Sequence, residues 1–379
     1  MTTPTFKKII FIVSFIMSFY SGFSQNIALS DQAKISVLTC GTGNESYSLF
    51  GHTAIRVQDS IHALDVVYNY GAFDFRTPNF VAKFAKGDLQ YFAIANSFSD
   101  FLSNYTDEKR SIYEQQLEIN SAEKQQIFDN LNHTLLSNER FYTYKFIDKN
   151  CTSMVVDLIN KSLGSTVIVK KGDLETTYRS VLFPYFEGHF YERLGTSIIF
   201  GMKVDEKATR IFLPFELKSS LAKTNYKNEK LAGKSEVLLS FEKEVNTSMW
   251  NNWYTYLVIL ALILVLNKKA IDFTYLTGMG LLGVFFIVMG FYSDHQELAF
   301  NYNILLFSPI VLILIAFTIF HKRSLVYKTA LLQIVILLIY GIFIASKAHF
   351  IIVLPLLLTT LIILVRIAVR NAKRIPIII

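Results

Sequence analysis

Of the 379 residues only two are cysteine, Cys40 and Cys151, and seven are histidine. Cys151 has the setting of a nucleophile. It stands in Lys149-Asn150-Cys151-Thr152-Ser153-Met154-Val155-Val156-Asp157-Leu158-Ile159, where Met154, Val155, Leu158 and Ile159 are spaced to bury one face of a helix. Asn150 occupies the position of an N-cap, which puts Cys151 in the first helical turn. Unpaired backbone N–H groups and the positive end of the helix dipole favour a thiolate there. Two competing readings exist. Cys151 could be a small buried apolar residue, or it could form a disulfide with Cys40 in an exported domain. A domain of this length can build its core without such a bond.

A cysteine nucleophile needs a base, and often a polar group that holds the base in its useful tautomer. His52 is the best-placed base, in Phe50-Gly51-His52-Thr53-Ala54-Ile55-Arg56-Val57 at the entrance of a strand. Gly51 lets the backbone pass close to another element or a substrate. The other histidines carry weaker signals. His62 lies in a polar turn, His133 among helix residues and His189 in a loop, while His321 and His349 cap apolar segments. On the following strand Asp65 and Asn69 share one face and Tyr68 takes the other. Either Asp65 or Asn69 could hold the imidazole. Asn69 is preferred because Tyr68-Asn69-Tyr70-Gly71 ends its strand near the point where His52 begins the partner strand. No metal-ligand spacing appears, and no cofactor is expected.

The elements that must position these residues can be read in outline. Residues 1–24 read as a signal peptide, with Lys7-Lys8 as charged region, Ile9 to Tyr20 as apolar core and Gly22-Phe23-Ser24 for cleavage. Residues 25–250 are expected to form an exported α+β domain and residues 251–379 a helical membrane domain. Strands are predicted at Ile35–Leu38, Thr53–Val57, Leu64–Tyr70, Leu89–Ala95 and Phe141–Ile147, the second and third as a hairpin. A helix is predicted over Ser121–Ser137, with Asn120 and Glu123 as a capping box. Strands and helices without regular alternation indicate α+β.

Five apolar segments follow, near Trp253–Leu266, Phe273–Tyr292, Ile304–Phe320, Leu325–Ala345 and Phe350–Val369. Loops on one side carry Lys268, Lys269, Lys322, Arg323, Arg370, Lys373 and Arg374. Those on the other hold Asp294, Glu297 and a single Lys347. The positive-inside rule then puts the soluble domain in the periplasm, on a multi-pass inner-membrane protein. The formal net charge is +7, but between Gln25 and Asn252 there are 25 Lys/Arg against 27 Asp/Glu. The soluble domain therefore has no basic excess for a nucleic-acid partner.

His52 precedes Cys151, the reverse of the order in papain-like enzymes. A Cys helix packed on a His-bearing strand in this order resembles permuted, NlpC-type relatives of the papain-like fold. Among these are acyltransferases similar to lecithin:retinol acyltransferase, which also open the Cys helix with an Asn-Cys pair. The resemblance becomes specific in Phe50 to Val57, in Tyr68-Asn69-Tyr70-Gly71-Ala72-Phe73-Asp74-Phe75 and in Asn150-Cys151-Thr152. Together these look like the periplasmic domain of the Lnb family of lipoprotein N-acyltransferases. Ser293-Asp294-His295-Gln296-Glu297, Asn301 to Leu306 and Ser308-Pro309 resemble that family's transmembrane module. Where relatives often place an Arg shortly after the Cys, this chain has Ser153-Met154.

The resemblance implies a thiol acyltransferase with membrane phospholipid as donor and diacylated lipoproteins as acceptors. Cys151 would be the nucleophile, His52 the base and Asn69 the orienting group. Asn150, Gly51, Asp65 and Tyr68 would be supporting residues, with Asp294 and His295 in an outside loop that helps seat lipid or amine. Two alternatives stand beside it: a peptidoglycan hydrolase using the same Cys–His pair, and a non-enzymatic membrane sensor or scaffold with a Cys40–Cys151 disulfide.

Overall fold

A computed structural model of the chain describes residues 27–242 and 247–372. The segment expected to be a signal peptide, residues 1–24, lies outside the described residues, as do Lys373 and Arg374. The strands are β1 (Lys34–Cys40), β2 (His52–Asp59), β3 (Leu64–Ala72), β4 (Gln90–Ser97), β5 (Ile112–Gln116), β6 (Phe141–Thr143), β7 (Asn225–Tyr226), β8 (Glu229–Lys230) and β9 (Glu236–Leu239). Seven of them form one antiparallel sheet in the order β6-β4-β3-β2-β1-β5-β9, and β7 and β8 pair separately. The helices of this part are α1 (Phe80–Lys86), α2 (Phe98–Asp107), α3 (Ser121–Leu136), α4 (Cys151–Ser162), α5 (Tyr178–Leu182), α6 (Phe190–Ile199) and α7 (Pro214–Lys223).

Strand alternation decides what covers the sheet. Ile35, Val37, Ile55, Val57 and Tyr68 point to one face, where they bury against Ile127 and Leu131 of α3 and Val155 and Ile159 of α4. Leu38, Cys40, Ala54 and Val67 point to the other face, onto Phe101 and Tyr105 of α2. The predicted capping box of α3 is present: Asn120 Oδ1 accepts from the Glu123 N–H at 2.9 Å and Glu123 Oε2 accepts from the Asn120 N–H at 3.0 Å.

One predicted strand is shortened. Phe141–Ile147 is extended only to Thr143, because Lys145 and Lys149 then close a turn with two backbone hydrogen bonds of 3.0 Å. Its apex residue, Ile147, is buried, and its N–H donates to Glu297 Oε1 at 3.2 Å. A local turn ends this strand, and a long-range partner, Glu297, holds the apex of that turn.

The C-terminal part holds the apolar helices α8 (Trp253–Leu266), α9 (Lys269–Tyr292), α10 (Ile310–Ile319), α11 (Arg323–Ile344) and α12 (Phe350–Asn371). The hydropathy pattern predicts five spans. Among the described residues three helices, α9, α11 and α12, are long and apolar enough to cross a membrane, and a fourth span results if the pair Gln296–Leu305 and Ile310–Ile319, bent by 42°, is taken as one. With 14 residues, α8 rises about 21 Å, short of a hydrocarbon core of about 30 Å. Lys269, His321, Arg323 and Arg370 gather at one end of the bundle. The sheet domain docks at the other end.

That docking is largely polar. Arg179, at the start of α5 and 2% exposed, donates from Nε to Asp205 Oδ1 at 2.7 Å and from its two terminal nitrogens to the carbonyls of Ser197, Phe200 and Gly201. Asp205 Oδ2 accepts from the Tyr302 hydroxyl at 2.5 Å and from Lys347 Nζ at 3.1 Å, both from the loops of the bundle. Asn301 and Asn303 donate to the last carbonyls of α6, and Tyr340 of α11 donates to Asn303 Oδ1 at 2.7 Å. Apolar residues of α6, among them Phe190, Leu194 and Ile198, join the core of the bundle.

Removing one partner of a buried ion pair leaves the other charge uncompensated. Arg179→Leu should therefore lower the stability of the detergent-solubilised protein by about 3 kcal/mol, read as a drop in its thermal unfolding midpoint. The double variant Arg179→Leu/Asp205→Leu should recover part of that loss.

Candidate active site

The Cys151 helix begins where its sequence says it should. Asn150 Oδ1 accepts from the N–H groups of Thr152 at 2.9 Å and Ser153 at 3.0 Å, and Ser153 Oγ accepts in return from the Asn150 N–H at 2.9 Å. The other end of the Asn150 amide donates to the carbonyls of Phe146 at 2.7 Å and Phe212 at 2.9 Å. Asn150 thus caps α4 and also ties it to two loops, fixing Cys151 as the first helical residue. The thiol is half-buried, and its helix start meets the inner strands β2 and β3 at Thr53 and Gly71.

His52 opens β2. The preceding Gly51 has a φ of 80°, and a Cβ there would lie 2.5 Å from the Cys40 carbonyl oxygen. Only glycine passes at that point. Asn69 lies opposite Ala54 on β3, so His52 and Asn69 are diagonal neighbours on one face. Asn69 Nδ2 donates to the Val67 carbonyl at 3.3 Å and faces Asn96 Oδ1 at 3.5 Å, which leaves Oδ1 to accept from His52 Nε2 at 3.2 Å. Nε2 therefore carries the proton and Nδ1 is the basic nitrogen. His52 and the Thr53 N–H are the neighbours that act most strongly on this thiol. Burial raises the Cys151 thiol, and the charge and hydrogen bond of His52, with the Thr53 N–H and the Thr152 hydroxyl, outweigh it and hold the pKa below the ordinary thiol range.

Cys40 is the contrasting case. It is fully buried, and burial pushes its thiol up to about 12. Both cysteines are free, so the Cys40–Cys151 disulfide that the sequence left open is not made.

The other predicted residues fall into two groups. Asp65 does not reach the imidazole. Its two oxygens accept from Arg56 Nε and a terminal nitrogen at 2.7 Å each, and Arg56 also binds Glu114 and lies 3.4 Å over the Phe98 ring. A nearby guanidinium outcompetes a more distant neutral ring for a carboxylate. Tyr68 faces the opposite side, as alternation requires, and donates to Asn132 Oδ1 at 2.9 Å. Asp294 and His295 bond the 84–87 segment rather than the thiol. The Asp294 N–H donates to the Lys86 carbonyl at 2.6 Å, and His295 Nε2 meets the Phe84 carbonyl at 3.0 Å. The neighbouring Glu297 supports the turn before Cys151 through Ile147.

Sequence reading missed Tyr142. Its hydroxyl is buried without a hydrogen-bond partner near Gly71, which has a φ of 99°. A Cβ added at Gly71 would lie 3.8 Å from Cys151 Cβ and 4.0 Å from the Tyr142 oxygen. Burial, and then the neighbouring Cys151, push the phenol above its ordinary range, so it stays a proton donor. No local pattern marks it, because an aromatic residue on a short strand is ordinary core material. Further along, an apolar cavity of about 400 Å³ is lined by Leu49, Phe50, Phe146, Phe186, Ile199 and Phe200. It lies between the loop that leads into His52 and the helix α6 that packs on the bundle. Among the described residues no group of three or more His, Cys, Asp or Glu side chains is placed to hold a metal ion.

Residues 19–182 match the family model described as the Lnb N-terminal periplasmic domain. No curated protein and no solved structure matches the chain. The matched stretch contains His52, Asn69, Tyr142 and Cys151.

A lowered thiol pKa has a direct readout. Alkylation of Cys151 by iodoacetamide should persist on the acid side of the usual thiol range. His52→Ala should move the rate–pH curve to higher pH and slow labelling at neutral pH by about tenfold. Asn69→Ala should move it in the same direction by less, while Asp65→Asn should leave it in place.

Proposed function

We propose, from the match of residues 19–182 to the Lnb N-terminal periplasmic domain, that the chain is an Lnb-family protein and a membrane-bound thiol acyltransferase. In this reading it moves an acyl chain from a phospholipid to the N-terminal amine of a diacylated lipoprotein, and its domain architecture is that of a permuted papain-like enzyme. The observation that carries the proposal is a half-buried, acid-shifted Cys151 at a helix start, facing a His52 held by Asn69, in a domain docked on apolar helices. Inner-membrane residence with the catalytic face in the periplasm is part of the same proposal. It is supported by the basic residues at the bundle end away from the sheet domain.

The chemistry follows from the residues. The Cys151 thiolate attacks the carbonyl carbon of the donor ester while the proton from the thiol rides on His52 Nδ1. Negative charge develops on the former carbonyl oxygen. In the first turn of α4 the Thr152 and Ser153 N–H groups are taken by Asn150, which leaves the Cys151 N–H for this oxygen. The orphaned Tyr142 hydroxyl is a second donor on the other side. Collapse breaks the ester bond; the lysophospholipid alkoxide leaves with the proton from His52, and an acyl thioester remains on Cys151. The acceptor amine then attacks the thioester and gives its proton to His52. Cleavage of the carbon–sulfur bond yields the amide and restores the thiolate. The apolar cavity behind Phe50 and Phe146 suits a substrate with hydrocarbon chains better than a cell-wall peptide.

Intact mass measurement of the full chain in phospholipid nanodiscs should show an acyl adduct that disappears in Cys151→Ser. Tyr142→Phe should still form the adduct but about a hundredfold more slowly, the usual cost of losing one oxyanion donor. An unmodified wild-type protein that instead cleaves muropeptides would overturn the assignment.

A further inference from the structure

The segment of residues 73–86 has no place in the chemistry above, and its exposure is unusual. Helix α1 has no buried residue. Phe75 is 69% exposed, Val81 76% and Phe84 49%. In water such a cluster is costly, and contiguous apolar surface of this kind marks a contact with a protein or a membrane.

Three observations select the membrane. First, α1 is fastened to the end of a span. The Ser293 hydroxyl donates to the Ala85 carbonyl at 2.7 Å, the Asp294 N–H to the Lys86 carbonyl at 2.6 Å, and His295 Nε2 meets the Phe84 carbonyl at 3.0 Å. Ser293 directly follows α9, whose last residues Phe291 and Tyr292 are themselves 89% and 51% exposed. The exposed side chains of α1 therefore sit at the level where that helix leaves the hydrocarbon. Second, Lys83 and Lys86 occupy the last turn of α1; Lys86 is paired with Asp88 at 2.6 Å, and Lys83 is placed as the cation of an interfacial helix that meets a lipid phosphate. Third, the cluster leads back to the thiol. Ring centroids follow one another from Phe84 to Phe80 at 6.5 Å, Phe80 to Phe73 at 5.9 Å, Phe73 to Tyr91 at 5.2 Å and Tyr91 to Tyr142 at 6.5 Å.

We propose that residues 73–86 form a lipid-contacting paddle, resting in the outer leaflet of the membrane that the bundle spans and guiding a phospholipid along the aromatic strip to Cys151. The guiding role rests on the acyltransferase reading; the membrane contact does not.

The full chain carrying Cys151→Ala, with buried Cys40 left in place, offers a clean background for single labels. Val81→Cys or Phe84→Cys would be labelled with an environment-sensitive fluorophore in nanodiscs of phosphatidylethanolamine and phosphatidylglycerol. Nitroxide-bearing lipids should quench either label, and aqueous iodide should not. Ile61→Cys, in the turn at the far end of the β2–β3 hairpin from His52, should show the reverse. Quenching of positions 81 and 84 by iodide alone, or shielding that depends on a second protein copy, would overturn the paddle. In the otherwise wild-type chain Val81→Asp/Phe84→Asp should slow acyl-adduct formation from bilayer phospholipid by about tenfold or more while iodoacetamide labelling of Cys151 is unchanged. An unchanged adduct rate would overturn the guiding role. Lipid quenching at position 81 in a protein whose wild type forms no adduct would keep the membrane contact and sink the acyltransferase reading.

Discussion

A buried guanidinium has to be answered by acceptors, and Arg179 draws those acceptors from both halves of the molecule. Asp205 and the carbonyls at the end of α6 come from the sheet domain, while the Tyr302 hydroxyl comes from a bundle loop, and Lys347 of a second bundle loop donates to Asp205. The charge cannot be left unpaired in this dry setting, so the two halves are held in one relative position. Asn301 and Asn303 add to this by satisfying the carbonyls at the end of α6 that would otherwise lack donors. The thiol is thereby held at a set height above the apolar helices. For the proposed reaction, with substrates in a bilayer, that height would be as much a part of the site as His52.

The same logic of satisfied polar groups works at the thiol. Asn150 spends its amide on both the helix start and two loop carbonyls, so Cys151 is fixed by a residue that takes no part in proton transfer. Asn69 does the equivalent for His52. Because its amide N–H groups turn toward Val67 and Asn96, only its oxygen is left for the imidazole, and the tautomer follows. Glu297 extends the support into the bundle loop by holding Ile147 in the turn just before the nucleophile. The start of the Cys151 helix and the membrane loop are thus both tied to the turn at 145–149 by hydrogen bonds as well as by apolar contact.

Much of this was legible wherever the cause is local. The Asn150 cap, the Asn120–Glu123 capping box, the β2–β3 hairpin and the apolar helices depend on residues within a few positions of one another, and pattern reading finds such features. Other features were not legible. Asp65 and Asn69 lie on the same face of the same strand, and what separates them is Arg56, which claims Asp65 from the neighbouring strand. The apex of the turn after β6, Ile147, is held by Glu297, 150 residues further along. Apolar length alone suggested five spans, but the break between Leu305 and Ile310 and the shortness of α8 reduce the number that can cross.

By itself, then, the sequence determined the position of Cys151 at a helix start, of His52 at a strand start and a membrane setting, since capping, alternation and hydropathy each act within a single element. Only the tertiary structure decided which polar residue holds His52, that Tyr142 buries an unpaired hydroxyl beside Gly71, and that the loop after α9 grips α1. Those outcomes depend on competition among donors and acceptors far apart in the chain. Such competition is settled by which groups the packed core leaves within hydrogen-bonding distance, and no spacing along the chain records it.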